Sequence, residues 1–201
     1  MQRAAKILEN QITIGGRIMT KIYFVRHAKV EYTEDDRTRA LTSQGREDTK
    51  LVTEAFNDIA IDKMISSPYV RAVDTIKGVA EQKGLEIETF DDLRERKVAH
   101  GFIDDFMTFA QNQWNDFDFK LDGGESLNEV RARGVKQINV ILKANEGKNL
   151  VIGTHGTFLG VMLNYYDSKH DFEFWKTLQM PDIFMVEFEG EKVSRILNIE
   201  Y

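Results

Sequence analysis

From Met19 onward, short apolar runs alternate with stretches whose apolar residues recur at helical spacing, and this alternation narrows the possible folds more than any other feature. The runs are "KIYFV" at 21–25, "KMISS" at 63–67, "LEIETF" at 85–90 and "NLVIGT" at 149–154. Between them lie three helical stripes. Behind Thr42, a capping residue, come Leu51, Val52, Ala55, Phe56 and Ile59. Behind Ser67 and Pro68, a cap and first-turn pair, come Tyr69, Val73, Ile76 and Ala80. The capping box "SLNE" at 126–129 opens a long helix with the stripe Leu127, Val130, Gly134, Ile138, Ile141 and Leu142. A short helix-like stretch at 157–165 follows the last run, and "DIFMVEFEG" and "KVSRILNIEY" read as an antiparallel hairpin turning at Gly190 and Glu191. Strands separated by helices predict an α/β domain, a three-layer α/β/α sandwich with a mostly parallel central sheet and an antiparallel edge near the C-terminus.

With 201 residues, 42% hydrophobic and 30% charged, the chain suits one domain, read here as 19–201. Residues 1–18 form an N-terminal extension open to two readings. One is a translated leader ahead of a start at Met19; the other is an amphipathic segment, carrying Ile7, Leu8, Ile12 and Ile14, docked on the domain. No apolar run is long enough to span a membrane, and the first residues lack the pattern of a secretory signal, so a cytoplasmic protein without membrane contacts is expected. The absence of cysteine rules out disulfides, thiolate catalysis and cysteine-based zinc sites. A net charge of −6 argues against a nucleic-acid partner, so any anion site must be built locally. The oligomeric state is left open.

In sheets of this kind ligands gather at the carboxyl ends of the strands. The first strand ends on Arg26 and His27, the second leads to Arg71 in the first turn of a helix, and "LVIGTH" ends on His155. A guanidinium fork at a helix start adds to free backbone N–H groups and the positive end of the dipole, a combination suited to phosphate. Singly, each histidine or arginine reads as a satisfied or solvated residue. Packing does not explain two of each at one sheet edge. Glu95, by pattern alone, is one more charge in a solvated "RER" run. Residues 91–124 are irregular and rich in aromatics (Phe102, Phe106, Phe109, Trp114, Phe117, Phe119), which predicts a covering lid, with Gly123 and Gly124 turning into the long helix. His100 either faces the substrate or is an exposed loop residue, and His170 reads as a surface residue.

Six stretches in order, "FVRHA", "LTSQGRED", "ISSPYVRAVDT", "LRER", "GGESLNEVRAR" and "VIGTHG", resemble the histidine phosphatase superfamily, or phosphoglycerate mutase-like proteins, from Met19 to the end. The resemblance implies His27 as nucleophile, Arg26 and Arg71 as phosphate clamps, Gly156 in the phosphate site, His155 as the second active-site histidine, protonated against the dianion, and Glu95 as proton donor. It implies phosphomonoester hydrolysis through a phosphohistidine, without metal or cofactor, on a small-molecule phosphomonoester or a phosphoprotein. The alternatives it leaves are a phosphoglycerate mutase-type phosphotransferase and a non-catalytic phosphate-binding regulatory module. The chain departs from the family pattern at Ala28, usually glycine, at Val30 and Thr33, where a Thr or Ser and then an Asn commonly stand, and in "KVAHGFIDDF" after Glu95. These departures bear on the substrate. The stretch from Glu95 to "GGES" is shorter than in dedicated mutases, which favours a phosphatase, because a phosphatase must admit water.

Overall fold

The computed structural model describes residues 13–14, 16–99 and 103–201. In chain order its elements are β1 (Thr13–Ile14), β2 (Arg17–Ile18), β3 (Thr20–Arg26), α1 (Ser43–Ala55), β4 (Lys63–Ser66), α2 (Val70–Lys83), β5 (Ile87–Thr89), a 3₁₀ turn (Asp91–Leu93), α3 (Phe106–Asn115), α4 (Leu127–Ala144), β6 (Asn149–Thr154), α5 (Gly156–Tyr166), α6 (Phe172–Thr177), β7 (Asp182–Glu189) and β8 (Lys192–Asn198). β1 and β2 pair as a small ribbon, and Arg17 donates to Glu189 at 2.9 Å. Ile7, Leu8 and Ile12 lie outside the described residues.

The main sheet has six strands in the order β5-β4-β6-β3-β7-β8. The first four run parallel, and β7 and β8 supply the expected antiparallel edge. Alternation along each strand splits the core in two. Ile22, Phe24, Leu150 and Ile152 face one side, where they meet Val130 and Ile138 of α4 and Phe158 and Met162 of α5. Tyr23, Val25 and Val151 face the other, against Val52 of α1 and Ile76 and Val79 of α2. Helices on both faces give the three predicted layers and explain why β6 is buried at every position.

Local signals set the helix ends. Thr42 accepts from the Gly45 N–H at 2.9 Å, and Ser126 with Glu129 forms the predicted capping box. Gly45 also lets α1 lie on the loop after β3, since a Cβ there would sit 2.2 Å from the Lys29 carbonyl oxygen. Other expectations need correction. Ile59 lies beyond α1, and Leu51 is exposed. Ser67 does not cap α2, whose N-cap is Tyr69; its hydroxyl instead accepts the Tyr69 N–H at 3.2 Å and faces inward. The aromatic segment contains a ten-residue helix, α3, capped by Asp105, with Phe109 and Trp114 buried. His170 is buried, its Nδ1 donating to the Asp167 carbonyl at 3.0 Å and its ring 4.5 Å from that of Phe174. His100 and Phe102 lie outside the described residues.

Candidate active site

Parallel pairing brings the ends of β3, β4 and β6 to one edge. Arg26 pairs with Thr154, and the chain keeps its register one residue further, where the His27 N–H donates to the Thr154 carbonyl at 3.0 Å. His27 and His155 therefore emerge side by side, ring centroids 5.3 Å apart. Across the sheet edge Arg71 stands in the first turn of α2, its guanidinium 5.0 Å from the Tyr69 ring, which lies 5.1 Å from His155. Arg26 reaches the same place: a Cβ on Gly156 would sit 2.9 Å from its guanidinium carbon. The four residues expected from strand ends form one cluster, and Gly156 is the clearance that lets Arg26 join it.

His27 is 6% exposed, and its Nδ1 lies 2.8 Å from the Ala28 carbonyl. A carbonyl only accepts, so Nδ1 carries the proton and the neutral ring keeps a lone pair on Nε2. Burial, then the positive charge of Arg71, with Arg26 and Arg39 adding to it, lowers the His27 pKa to about 3 against the bond to Ala28. His155 is fully buried and held well below the ordinary imidazole value by burial, His27, Arg71, Arg133 and Arg26. The site thus holds two neutral imidazoles among guanidinium groups. Burial and the neighbouring arginines work against a positive charge on His155 here, whereas the resemblance expects that charge against a bound dianion.

The hydrogen bonds fix these groups from behind. Arg71 Nη1 donates to the Asp36 carbonyl and lies 3.2 Å from its carboxylate. Arg26 Nη1 donates to the Leu178 carbonyl at 2.7 Å, while its buried Nε has no partner among the described residues. Burial also lowers the Arg26 pKa, against the charges of Glu95, Asp182 and Tyr32. His155 Nε2 meets the Ser67 hydroxyl at 2.8 Å, and its Nδ1 has no partner among the described residues.

Glu95 is the residue that pattern placed in a solvated run. Its Oε2 accepts from the Thr157 N–H at 3.0 Å and its Oε1 from the Phe158 N–H at 3.0 Å, so the carboxylate closes the start of α5 directly after His155. A carboxylate is favoured at that end of a helix dipole. Glu95 therefore joins the cluster by a tertiary contact across sixty-two residues of chain. Sequence reasoning missed Ser67 and Thr75 as supports of the site. The "SSP" triplet signalled a special role for Ser67 but pointed to a cap, and nothing local marked Thr75. Among the described residues no group of three or more histidine, aspartate and glutamate side chains is placed to hold a metal ion.

A nucleophilic nitrogen ringed by cations, with a carboxylate beside it, is equipped to bind an anion and attack it. The chain matches the model of the Histidine phosphatase superfamily (branch 1) over residues 22–197, and it belongs to that family. A curated relative from Serratia proteamaculans, described as "Probable phosphoglycerate mutase GpmB", is 27% identical over 161 residues, 73% of this chain and 74% of that protein. The mycobacterial glucosyl-3-phosphoglycerate phosphatase superposes with a TM-score of 0.71 at 18% identity, covering 90% of this chain and 97% of its own. Phosphoglycerate mutase from Bacillus anthracis str. Sterne gives 0.70 at 17% identity, covering 89% and 92%. The fold is that of phosphoglycerate mutase-like proteins, and no described helix is long and apolar enough to cross a membrane.

Proposed function

We propose that residues 19–201 are a phosphomonoester hydrolase working through a phosphohistidine on His27. The reading rests on the His27 Nδ1–H bond to the Ala28 carbonyl, which leaves Nε2 as the nucleophilic atom among Arg26, Arg71 and His155. The Nε2 lone pair attacks phosphorus as the ester P–O bond breaks, and Glu95 passes its proton to the departing alkoxide. In the second half-reaction Glu95 takes a proton from water, the water oxygen bonds to phosphorus, and the P–N bond breaks to release phosphate and His27. Arg26 and Arg71 hold the equatorial oxygens as charge spreads over them. The cations are side chains, so the reaction calls for no metal or cofactor.

His155 contributes without being charged. We assign the Ser67 hydroxyl, which also accepts from Tyr69, as the donor to His155 Nε2, the tautomer that leaves Nδ1–H as a donor for a phosphate oxygen. The short path from Glu95 to Gly123 favours hydrolysis of a small phosphoester, because water can follow the leaving group out. The name of the Serratia relative supports a second reading, phosphoryl transfer between positions of a phosphoglycerate.

The test is a phosphomonoester panel run with EDTA on the wild type and His27→Ala. Turnover by the wild type alone, insensitive to EDTA, with an acid-labile phosphate on His27 in quenched reactions, supports the hydrolase. Undiminished activity in His27→Ala, or loss with EDTA, defeats it. Interconversion of 2- and 3-phosphoglycerate faster than phosphate release favours the mutase, and phosphate binding with no turnover favours a regulatory module.

A further inference from the structure

We infer that Arg133, clamped by Glu125, is a positioning residue that sets where Glu95 stands as general acid and base; this inference rests on the hydrolase reading above. Residues 91–93 form only a single 3₁₀ turn and 94–97 belong to no helix or strand, so the carbonyl groups of 92–97 need donors from elsewhere. One guanidinium supplies three of the six. Arg133 Nη1 donates to the Asp92 carbonyl at 2.7 Å and the Arg94 carbonyl at 3.0 Å, and Nη2 donates to the Glu95 carbonyl at 3.3 Å. The Thr154 hydroxyl takes the intervening Leu93 carbonyl at 3.2 Å. The backbone that carries Glu95 is thereby moulded on a single side chain of α4.

The other edge of that guanidinium is fixed. Arg133 Nε and Nη2 donate to the two carboxylate oxygens of Glu125 at 2.8 and 3.2 Å, the bidentate geometry that gives direction as well as attraction. Glu125 is pinned in turn by the Lys97 N–H at 2.9 Å and by Arg94 Nη2 at 2.7 Å, and its own N–H donates to the Lys97 carbonyl at 2.7 Å. Burial would raise the Glu125 pKa, but the Arg133 and Lys97 bonds and the charges of Arg133 and Arg94 outweigh it and keep the carboxyl below its usual range. The ion pair thus holds both ends of segment 92–97.

These contacts serve the site more than the helix that bears Arg133. α4 is anchored by its capping box and its buried stripe, neither of which uses Arg133. Below the guanidinium lies the Phe158 ring, 5.6 Å away, and Phe158 is one of the residues whose N–H holds the Glu95 carboxylate. Arg133 therefore touches the loop from which Glu95 projects and the helix start against which it rests.

Leaving-group dependence separates positioning of an acid from general support of the fold. An alkyl alkoxide needs a proton as it departs, whereas 2,4-dinitrophenolate does not. We would measure kcat/KM, which reports steps up to phosphohistidine formation, for an alkyl phosphate and 2,4-dinitrophenyl phosphate. Wild type, Glu95→Gln, Arg133→Gln, Arg133→Lys, Glu125→Gln and the Glu95→Gln/Arg133→Gln double variant would be compared, with thermal unfolding of each. Glu95→Gln and Arg133→Gln should each lower the alkyl ester by ~10²-fold or more and the dinitrophenyl ester by far less, with the double variant no worse than the poorer single one. Arg133→Lys, which keeps the charge but not the fork, should show the same selective loss at smaller size. Equal loss of both esters in the Arg133 variants, or multiplicative losses in the double variant, overturns the inference while leaving Glu95 in its role. If Arg133→Gln does not fold, Arg133→Lys and Glu125→Gln decide by the same criterion. Equal loss of both esters in Glu95→Gln overturns the general-acid assignment itself, and the inference with it.

Discussion

The Thr75 hydroxyl accepts the Ala28 N–H at 3.0 Å and donates to the Arg71 carbonyl at 2.7 Å. One buried side chain thereby ties the loop that carries His27 to the helix that carries Arg71. The same Ala28 peptide unit also accepts the His27 Nδ1–H through its carbonyl, so the orientation of the proposed nucleophile depends on how that unit is held.

Replacing Thr75 by valine keeps the shape and removes the hydroxyl, leaving the Ala28 N–H buried without its acceptor. We expect a loss of about 1–3 kcal/mol in unfolding free energy, with a fall in kcat, while Thr75→Ser retains most of both. Denaturant melts and steady-state kinetics on the pair of variants provide the check. Full stability in Thr75→Val would mean that another acceptor reaches Ala28.

At Gly156 the expected damage is to binding. A Cβ there would lie 2.9 Å from three atoms of the Arg26 guanidinium, so Gly156→Ala must push Arg26 off the proposed phosphate site. Alanine is otherwise favoured over glycine in a helix by up to about 1 kcal/mol, so the fold should lose little. The variant should melt near wild type yet lose roughly 10²-fold in kcat/KM, as expected when one charge-stabilising donor is misplaced. Added Arg26→Ala should then cost little more, and a full second loss in the double variant would show that Gly156 does not act through Arg26.

The unequal legibility of the site follows from where its information lies. Arg26, His27, Arg71 and His155 were readable because strand ends and a first helical turn are local patterns, and parallel pairing carries local ends to one edge. Glu95 was readable only through the family resemblance and not from its own pattern, since its partners are backbone N–H groups of residues 157 and 158, which no spacing near Glu95 reveals. Ser67 was misread for a physical reason: Ser-Pro is a frequent cap, and here the hydroxyl serves His155 while α2 starts at Val70. The helix at Phe106–Asn115 escaped notice because its aromatics spread over several faces, with Phe106 exposed and Phe109 and Trp114 buried. In the sheet, by contrast, short apolar runs between helical stripes and a central strand buried at every position left little choice.

Ser67→Ala isolates the support behind His155. Without the hydroxyl, Nε2 loses its partner, and the imidazole is free to carry its proton on either nitrogen. We expect weaker inhibition by inorganic phosphate and a higher KM, with a smaller change in kcat than for His27→Ala. Restoration by Ser67→Thr, measured as the phosphate inhibition constant, would confirm that the hydroxyl is responsible; unchanged inhibition in Ser67→Ala would sink the tautomer assignment.

The neutral histidines make the protein's stability depend on pH in a defined direction. In the unfolded chain His27 takes up a proton near its ordinary value of 6.5, whereas in the folded chain burial and Arg71 hold it neutral down to about 3. Between those values the unfolded state binds the extra proton, so unfolding free energy falls as pH falls, by up to about 1.4 kcal/mol per unit from His27. His155 is displaced in the same direction and steepens the slope. Above the ordinary imidazole value neither contributes to the pH dependence. Denaturant unfolding at pH 7 and pH 5 should therefore show a loss in the wild type that exceeds the loss in His27→Asn by roughly 2 kcal/mol. Activity should respond differently: His27, the proposed nucleophile, stays unprotonated through the same range, so kcat/KM should show no acid limb from His27 until pH approaches 3. A wild type and a His27→Asn variant with equal pH slopes of stability would show that His27 is not held neutral by the fold.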